Sequence, residues 1–296
     1  MTLHASPAAW HRALYGLGGV ILRVGPLDWL VLRRGPFRIA YPSFPVGFSM
    51  ANTPIQQCLA GSLPALCRAR VDLLRLSAPE DAMAGINCGV LARLPESRIE
   101  GLQAWDRSRL AAPVRRKLRK AEGAGLRMRA AEPGDGKLLY ALYERTVRRQ
   151  RGTVRYTRRY FEELCLGSPD LMVAKVVLDD AVTGFIAVLH QGMDSIYLHG
   201  GYADSHASLR PGYFAMAWAI EASRDRGSRT FDMLASPLGQ TALREYKESF
   251  GAVTHWRVYW QQPLTLRGRS AVAVLRLIGS GRGSEAQASA LNNTSA

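Results

Sequence analysis

The chain has 296 residues, 47% of them hydrophobic, which is enough to bury one large core or two smaller ones and excludes a wholly disordered protein. Lysine and arginine number 39 against 24 acids, and the resulting +15 favours phosphates or other anionic partners. Cys58, Cys67, Cys88 and Cys165 form no C-x-x-C pair and have no histidine cluster nearby, so neither a zinc site nor a disulfide scaffold is expected and a reducing, cytoplasmic setting is.

In the first hundred residues, strand-like pieces occur at Val20–Arg23, Trp29–Leu32, Phe37–Tyr41, Val71–Leu76 and Cys88–Leu91, separated by glycines and prolines. Leu14–Leu22 is apolar but holds three glycines and falls well short of the roughly 20 residues a membrane helix needs, so no stable insertion is expected. The charge lies further on. Between Pro113 and Tyr160, fifteen cations face four acids, so 48 residues carry +11 of the total.

Pro113–Glu122 reads as a short basic helix that stops at Gly123 and Gly125. Val114, Leu118 and Ala121 form its apolar stripe, and Arg115, Arg116, Arg119 and Lys120 occupy the other faces. A second helix is expected from about Asp135 to Gln150, with Leu139, Leu142, Tyr143 and Val147 inward and Arg145, Arg148 and Arg149 outward. These cations are either solvated faces or a cradle for phosphate groups.

Leu171–Leu178, Thr183–His190 and Ser195–Tyr202 read as three strands of a meander, the first two joined by the Asp179-Asp180 turn. A polar loop, Ala203–Arg210, leads through Pro211-Gly212 into an almost wholly apolar helix, Tyr213–Arg226. A strand at Thr230–Leu234, a helix near Thr241–Phe250 and a strand at Thr254–Trp260 complete the order βββ-α-β-α-β. Leu266–Ile278 is a basic, partly amphipathic helix, either docked on the domain or in peripheral contact with an anionic membrane, and 279–296 has the composition of a disordered tail.

Four segments in register resemble the FemAB-like and CelD-like acyltransferases of the GNAT superfamily. They are Arg116–Arg129 (RKLRKAEGAGLRMR); Tyr143–Gly152 with Tyr160–Leu164; Tyr197–Tyr202 with Pro211-Gly212, Gly227 and Thr230–Asp232; and Leu243–Gly251 (LREYKESFG), which is similar to a "Phe-Lys-x-x-Phe-Gly" signature. The resemblance implies an α+β fold of α/β-sandwich type, with a degenerate GNAT-like subdomain over 1–112 and the acyltransferase domain over 113–265, followed by the basic helix at 266–278 and the tail.

What the resemblance implies about activity is transfer of an acyl group to an amine. The leading expectation is an N-acyltransferase that uses acetyl-CoA or another acyl-CoA, without a metal, on an amine-bearing small molecule or cell-envelope or polysaccharide precursor. One alternative keeps the fold and takes an aminoacyl group from tRNA, although the coiled-coil insertion many FemAB enzymes carry has no counterpart among the heptad patterns here. A non-catalytic polyanion or nucleic-acid binder is the third reading.

Both transfer reactions pass through a tetrahedral oxyanion, so the site must take a proton from the amine and stabilise negative charge. Lys247 stands where the family places a lysine beside an aromatic residue, and Tyr246 where many members carry a tyrosine that protonates the leaving group. Burial of one helix face by Tyr246 and Phe250, with Lys247 reaching solvent, is the simpler alternative. Asp232, at a strand end, either orients the amine or fixes the following turn. His199, read on the same strand face as Tyr197 and Gly201, is either a base or a packed residue. The resemblance places coenzyme A at Arg210, Gly212 and Tyr213, yet Leu209 and Phe214 depart from the family's Arg/Gln-x-x-Gly-x-Gly/Ala loop. Arg115, Arg116, Arg119 and Lys120, with Arg151 and Tyr202 from the matched segments, are the candidate substrate-binding residues.

Overall fold

The computed structural model describes residues 8–24, 27–43, 55–84, 89–150 and 152–280; Cys88, Arg151 and residues 281–296 of the expected tail lie outside them. In chain order the elements are α1 (Ala8–Tyr15), β1 (Val20–Val24), β2 (Leu27–Arg34), β3 (Phe37–Pro42), α2 (Ile55–Arg68), β4 (Leu73–Pro79), β5 (Val90–Ile99), α3 (Ala112–Gly123), β6 (Arg127–Ala130), α4 (Gly136–Arg149), α5 (Arg158–Leu164), β7 (Leu171–Leu178), β8 (Ala181–Gln191), β9 (Asp194–Tyr202), α6 (Pro211–Asp225), β10 (Thr230–Ala235), α7 (Thr241–Glu248), β11 (Val253–Pro263) and α8 (Leu266–Ser280).

These elements form two units, and neither is a continuous stretch of chain. The first comprises residues 1–96, 235–241 and 255–296; the second comprises 97–234 and 242–254. The expected division at residue 112, with a continuous second domain to 265, therefore differs from the observed one. The chain returns to the first unit after β10 and again within β11, a path that local composition does not signal.

In the second unit, β6 to β9 form an antiparallel ladder, and β10 joins β9 in parallel after the crossover through α6. This realises the βββ-α-β order read from the sequence. Ala174, Val176, Ile186 and Val188 face one core with Val114, Leu118 and Ala121 of α3 and Phe214, Ala217 and Ile220 of α6. The opposite sheet face meets α4 and α5, where Phe185 contacts the ring of Phe161 at 5.9 Å between centroids. Helix α3 stops as expected: Gly125 takes φ 83°, and the amide of Leu126 bonds back to the Ala121 carbonyl at 3.2 Å.

Backbone approach on that second face is close. A Cβ at Gly201 would stand 2.9 Å from the Leu142 carbonyl oxygen and 2.9 Å from the Phe185 ring, so α4 can seat on β9 only where the side chain is absent.

The first unit repeats the pattern in shortened form. Its strand order is β1-β2-β3-β4-β11-β5. β1, β2 and β3 form an antiparallel meander, α2 crosses over, and β4 pairs with β3 in parallel over only Ile39↔Leu73 and Ala40↔Leu74. Trp29, Val31, Leu66, Leu74, Leu76 and Trp260 fill its own core. Helix α8 is docked on this unit at its start: Thr265 Oγ1 donates to Asp72 at 2.9 Å, and a Cβ at Gly268 would lie 1.9 Å from the Asp72 carbonyl oxygen. Among the described residues, no helix is long and apolar enough to cross a membrane.

Replacing Gly201 by alanine is expected to destabilise the protein by about 1–3 kcal/mol, since backbone must move to admit the methyl group. Gly123→Ala, at a helical position with nothing within 4 Å, should be neutral or slightly stabilising. Urea unfolding of both variants checks the pair, and an equal response would contradict the packing account.

Candidate functional site

Strands β9 and β10 pair only over Thr230↔Asp194, Phe231↔Ser195 and Asp232↔Ile196. Beyond these three positions, among the described residues, no strand meets Tyr197–Gly201 on the β10 side, so that edge of β9 keeps backbone donors and acceptors for another partner, whereas the Tyr202 amide donates to the Thr146 hydroxyl at 3.4 Å. Asp232 marks the point of parting. Its Oδ1 accepts the Leu234 amide at 2.7 Å, its Oδ2 lies 3.4 Å from Arg98 Nη2, and both side chains are buried. Leu234 takes a φ of 59°, a conformation costly for a branched side chain, and its carbonyl accepts Lys247 Nζ at 2.8 Å. Asp232 thus binds the turn that follows it, one of the two roles read from the sequence. Lys247 is 3% exposed, so the reading in which it reaches solvent does not hold.

Four tyrosines gather where α6 begins. The Tyr246 hydroxyl donates to the Gly212 carbonyl at 2.9 Å, and its ring stands edge-on to Tyr213 at 4.9 Å. Burial, with Tyr197, Tyr213 and Tyr202 close by, holds the Tyr246 hydroxyl well above the usual tyrosine range, so it keeps its proton. Lys117 Nζ donates to the Tyr213 hydroxyl at 2.7 Å, and Arg149 lies 4.1 Å from the centre of the Tyr202 ring. Lys117 escaped the sequence reading because it sits beside the apolar stripe of α3, immediately before Leu118; its half-buried position at the stripe's edge is what aims it at α6.

The start of α6 is poorly furnished for an anion. Pro211 has no N–H, and the amides of Tyr213 and Phe214 bond to the Arg210 carbonyl at 3.1 and 3.2 Å, which leaves Gly212 alone among the first four positions. Arg210 itself is exposed, in the left-handed region with φ 65°.

His199 does not share a face with Tyr197. The β8–β9 register shifts where Ala187 pairs with His199 and Val188 with Tyr197, so Leu198 is an inserted residue and the strand's alternation reverses across it. Tyr197 consequently packs on the α6 side, whereas His199 accompanies Gly201 on the α4 side. There His199 Nε2 meets the Tyr160 hydroxyl at 2.9 Å within a box of Tyr143, Tyr156, Tyr160 and Phe161. Burial lowers its pKa to about 3, which unsuits it to act as a base at neutral pH.

The basic helices are partly neutralised by their own surroundings. Arg115 donates to the carbonyls of Ser108 and Leu110 at 2.7 Å each, and Arg148, Arg149 and Arg158 pair with Glu144, Asp204 and Glu162. Arg116, Arg119 and Lys120 are exposed and, among the described residues, form no ion pair. Among the described residues, no group of three or more His, Cys, Asp or Glu side chains is placed to hold a metal.

Residues 108–248 match the family described as the acetyltransferase (GNAT) domain. No protein of curated function matches the sequence. Among solved structures, the fold is similar to that of FemX, at 12% identity and a TM-score of 0.65, over 86% of this chain and 91% of that one. It is also similar to the C-terminal domain of a protein named as a lysylphosphatidylglycerol synthetase from Agrobacterium fabrum, at 13% identity and a TM-score of 0.59, over 93% and 91% of the two chains. A third likeness is to L-PGS from Bacillus licheniformis, at 14% identity and a TM-score of 0.57, over 90% and 91%.

The enclosed histidines predict a pH dependence of stability. His199 titrates near 3 and His190 near 4 when folded, against 6.5 for an ordinary histidine. Below about pH 6.5 the unfolded chain therefore binds protons that the folded chain refuses, and stability falls as pH drops towards those lowered values. Urea unfolding between about pH 7 and pH 5 should show a shallower decline for His199→Phe than for the wild type. Parallel declines would mean that His199 is not held neutral.

Proposed function

We propose that the chain is a FemAB-like acyltransferase that transfers an acyl group to an amine and that the donor is an aminoacyl ester of tRNA, a reading supported by the match of residues 108–248 to the acetyltransferase (GNAT) domain and by the similarity of the fold to that of FemX. The observation that carries the choice of donor is the start of α6. A coenzyme A diphosphate needs several backbone amides there, and Pro211 together with the Arg210 carbonyl leaves only that of Gly212. The residues present do not fit that cradle.

An aminoacyl ester makes other demands. Its RNA phosphates need a cationic surface, which the exposed Arg116, Arg119 and Lys120 of α3 supply. Its carbonyl needs hydrogen-bond donors where the oxyanion forms, and those amides between Tyr197 and Gly201 that face away from β8, along the unpaired edge of β9, are such donors. The acceptor nitrogen attacks that carbonyl, the bond to the ribose oxygen breaks, and the departing oxygen takes a proton. Tyr213 is suited to give it, because Lys117 donates to its hydroxyl oxygen and leaves its own proton free to be donated, and the proton that the acceptor nitrogen loses restores the Tyr213 hydroxyl. Tyr246, Lys247 and Asp232 act as positioning residues, the first on Gly212 and the other two on the Leu234 turn. The name of one similar structure, lysylphosphatidylglycerol synthetase, agrees with an aminoacyl group as the group transferred.

Calorimetry and RNA binding separate the donors. The reading predicts no saturable acetyl-CoA binding in the micromolar range, tighter binding of aminoacyl-tRNA than of the deacylated tRNA, and a loss of roughly two to three units from the salt slope when Arg116, Arg119 and Lys120 are all changed to alanine. Micromolar acetyl-CoA binding would replace it with the acyl-CoA reading. Equal affinity for acylated and deacylated tRNA, with no transfer, would replace it with a non-catalytic polyanion binder.

A further inference from the structure

The first unit carries a concentration of positive charge for which the transfer reaction gives no account. A cleft of about 660 Å³ is lined by Arg33, Arg38, Arg70 and Arg267, together with Cys67 and a single acid, Asp72. That volume suits a small organic ligand. Asp72 does not neutralise the four guanidinium groups. It is buried, its Oδ2 accepts the backbone amide of Arg38 at 2.9 Å, and its Oδ1 accepts the Thr265 hydroxyl at 2.9 Å. Among the described residues none of the four arginines forms an ion pair.

Two features of the backbone show that this arrangement works against stability. Arg33 and Arg38 are directly opposite each other on the antiparallel β2–β3 ladder, where like charges repel. Arg70 closes α2 in the left-handed region, with φ 53°, at the position where glycine is the usual residue. On the far wall, Arg267 is held in place by donating to the Pro36 carbonyl at 2.5 Å. Repulsion across a ladder and an unneutralised cleft are together relieved by an anion with several oxygens, because each guanidinium presents a fork of donors that matches it.

We propose that this cleft is a phosphate-binding site, for a phosphorylated small molecule or the headgroup of an anionic phospholipid, with Arg33, Arg38, Arg70 and Arg267 as its ligands. The proposal is independent of the donor assigned above, since it concerns side chains of the first unit alone.

Cys67 lines the cleft and is exposed, whereas Cys58 and Cys165 are buried, so its alkylation rate, followed by mass spectrometry of its own peptide, reports occupancy. Pyrophosphate is the soluble probe; vesicles of phosphatidylglycerol in phosphatidylcholine, set against phosphatidylcholine alone, are the lipid probe. Saturable, several-fold slowing by pyrophosphate beyond that of sodium chloride at matched ionic strength, with a raised melting temperature, assigns a soluble phosphate. Slowing only by the phosphatidylglycerol vesicles assigns a headgroup. In either case the double variant Arg33→Gln with Arg38→Gln should abolish the protection while keeping the Arg38 amide bond to Asp72, and should melt no lower than the wild type once the repulsion is removed. Protection by neither probe, or protection that survives in this folded double variant, would overturn the proposal.

Discussion

The arrangement of the second unit depends on the parting of two parallel strands. Where β9 and β10 cease to pair, their backbones lose the partners that a sheet interior would give, and buried peptide groups without partners are expensive. Asp232 takes the Leu234 amide, Lys247 takes the Leu234 carbonyl, and Arg98 balances the carboxylate from the other side. A buried carboxylate and ammonium would be costly alone; satisfied in this way, they hold the Leu234 turn in its left-handed conformation and keep the strands apart.

Positive charge is handled differently along the chain. On α4 and α5 the arginines meet carboxylates one helical turn away, Arg148 with Glu144 and Arg158 with Glu162, pairs of modest value that reduce the net field. On the outer face of α3 and around the cleft of the first unit, the cations have no such partners among the described residues. These two places hold seven of the basic residues that the ion pairs leave over, Arg116, Arg119 and Lys120 in the one and Arg33, Arg38, Arg70 and Arg267 in the other. They suit ligands carrying phosphate, one polymeric and one small.

Much of the second unit was legible because its strands and helices obey simple periods. β7 was read at its observed limits, and the Val114, Leu118, Ala121 stripe is buried as its spacing requires. The two-residue period fails at Leu198, since an inserted residue reverses the alternation without changing composition, and His199 lies on the face opposite to the one its spacing from Tyr197 predicts. Helix α2 is hidden by Pro64 in its interior, and β5, read only as far as Leu91, continues through Pro95 and the charged Arg93, Glu96 and Arg98. Two of those residues are buried charges satisfied at a distance along the chain: Glu96 by Arg257 and Arg98 by Asp232, pairings that no local pattern contains. The cleft of the first unit was invisible for the same reason, because its arginines come from four separate segments.

If the unpaired edge of β9 receives the acyl carbonyl, amide hydrogen exchange registers it there. Addition of aminoacyl-tRNA should slow exchange within Tyr197–Gly201 and at Gly212, while the amides of Ala174–Val177 in β7, where strands pair on both sides, keep their rates. Unchanged exchange over Tyr197–Gly201 in the presence of a donor that the protein demonstrably binds would show that this edge does not hold the carbonyl.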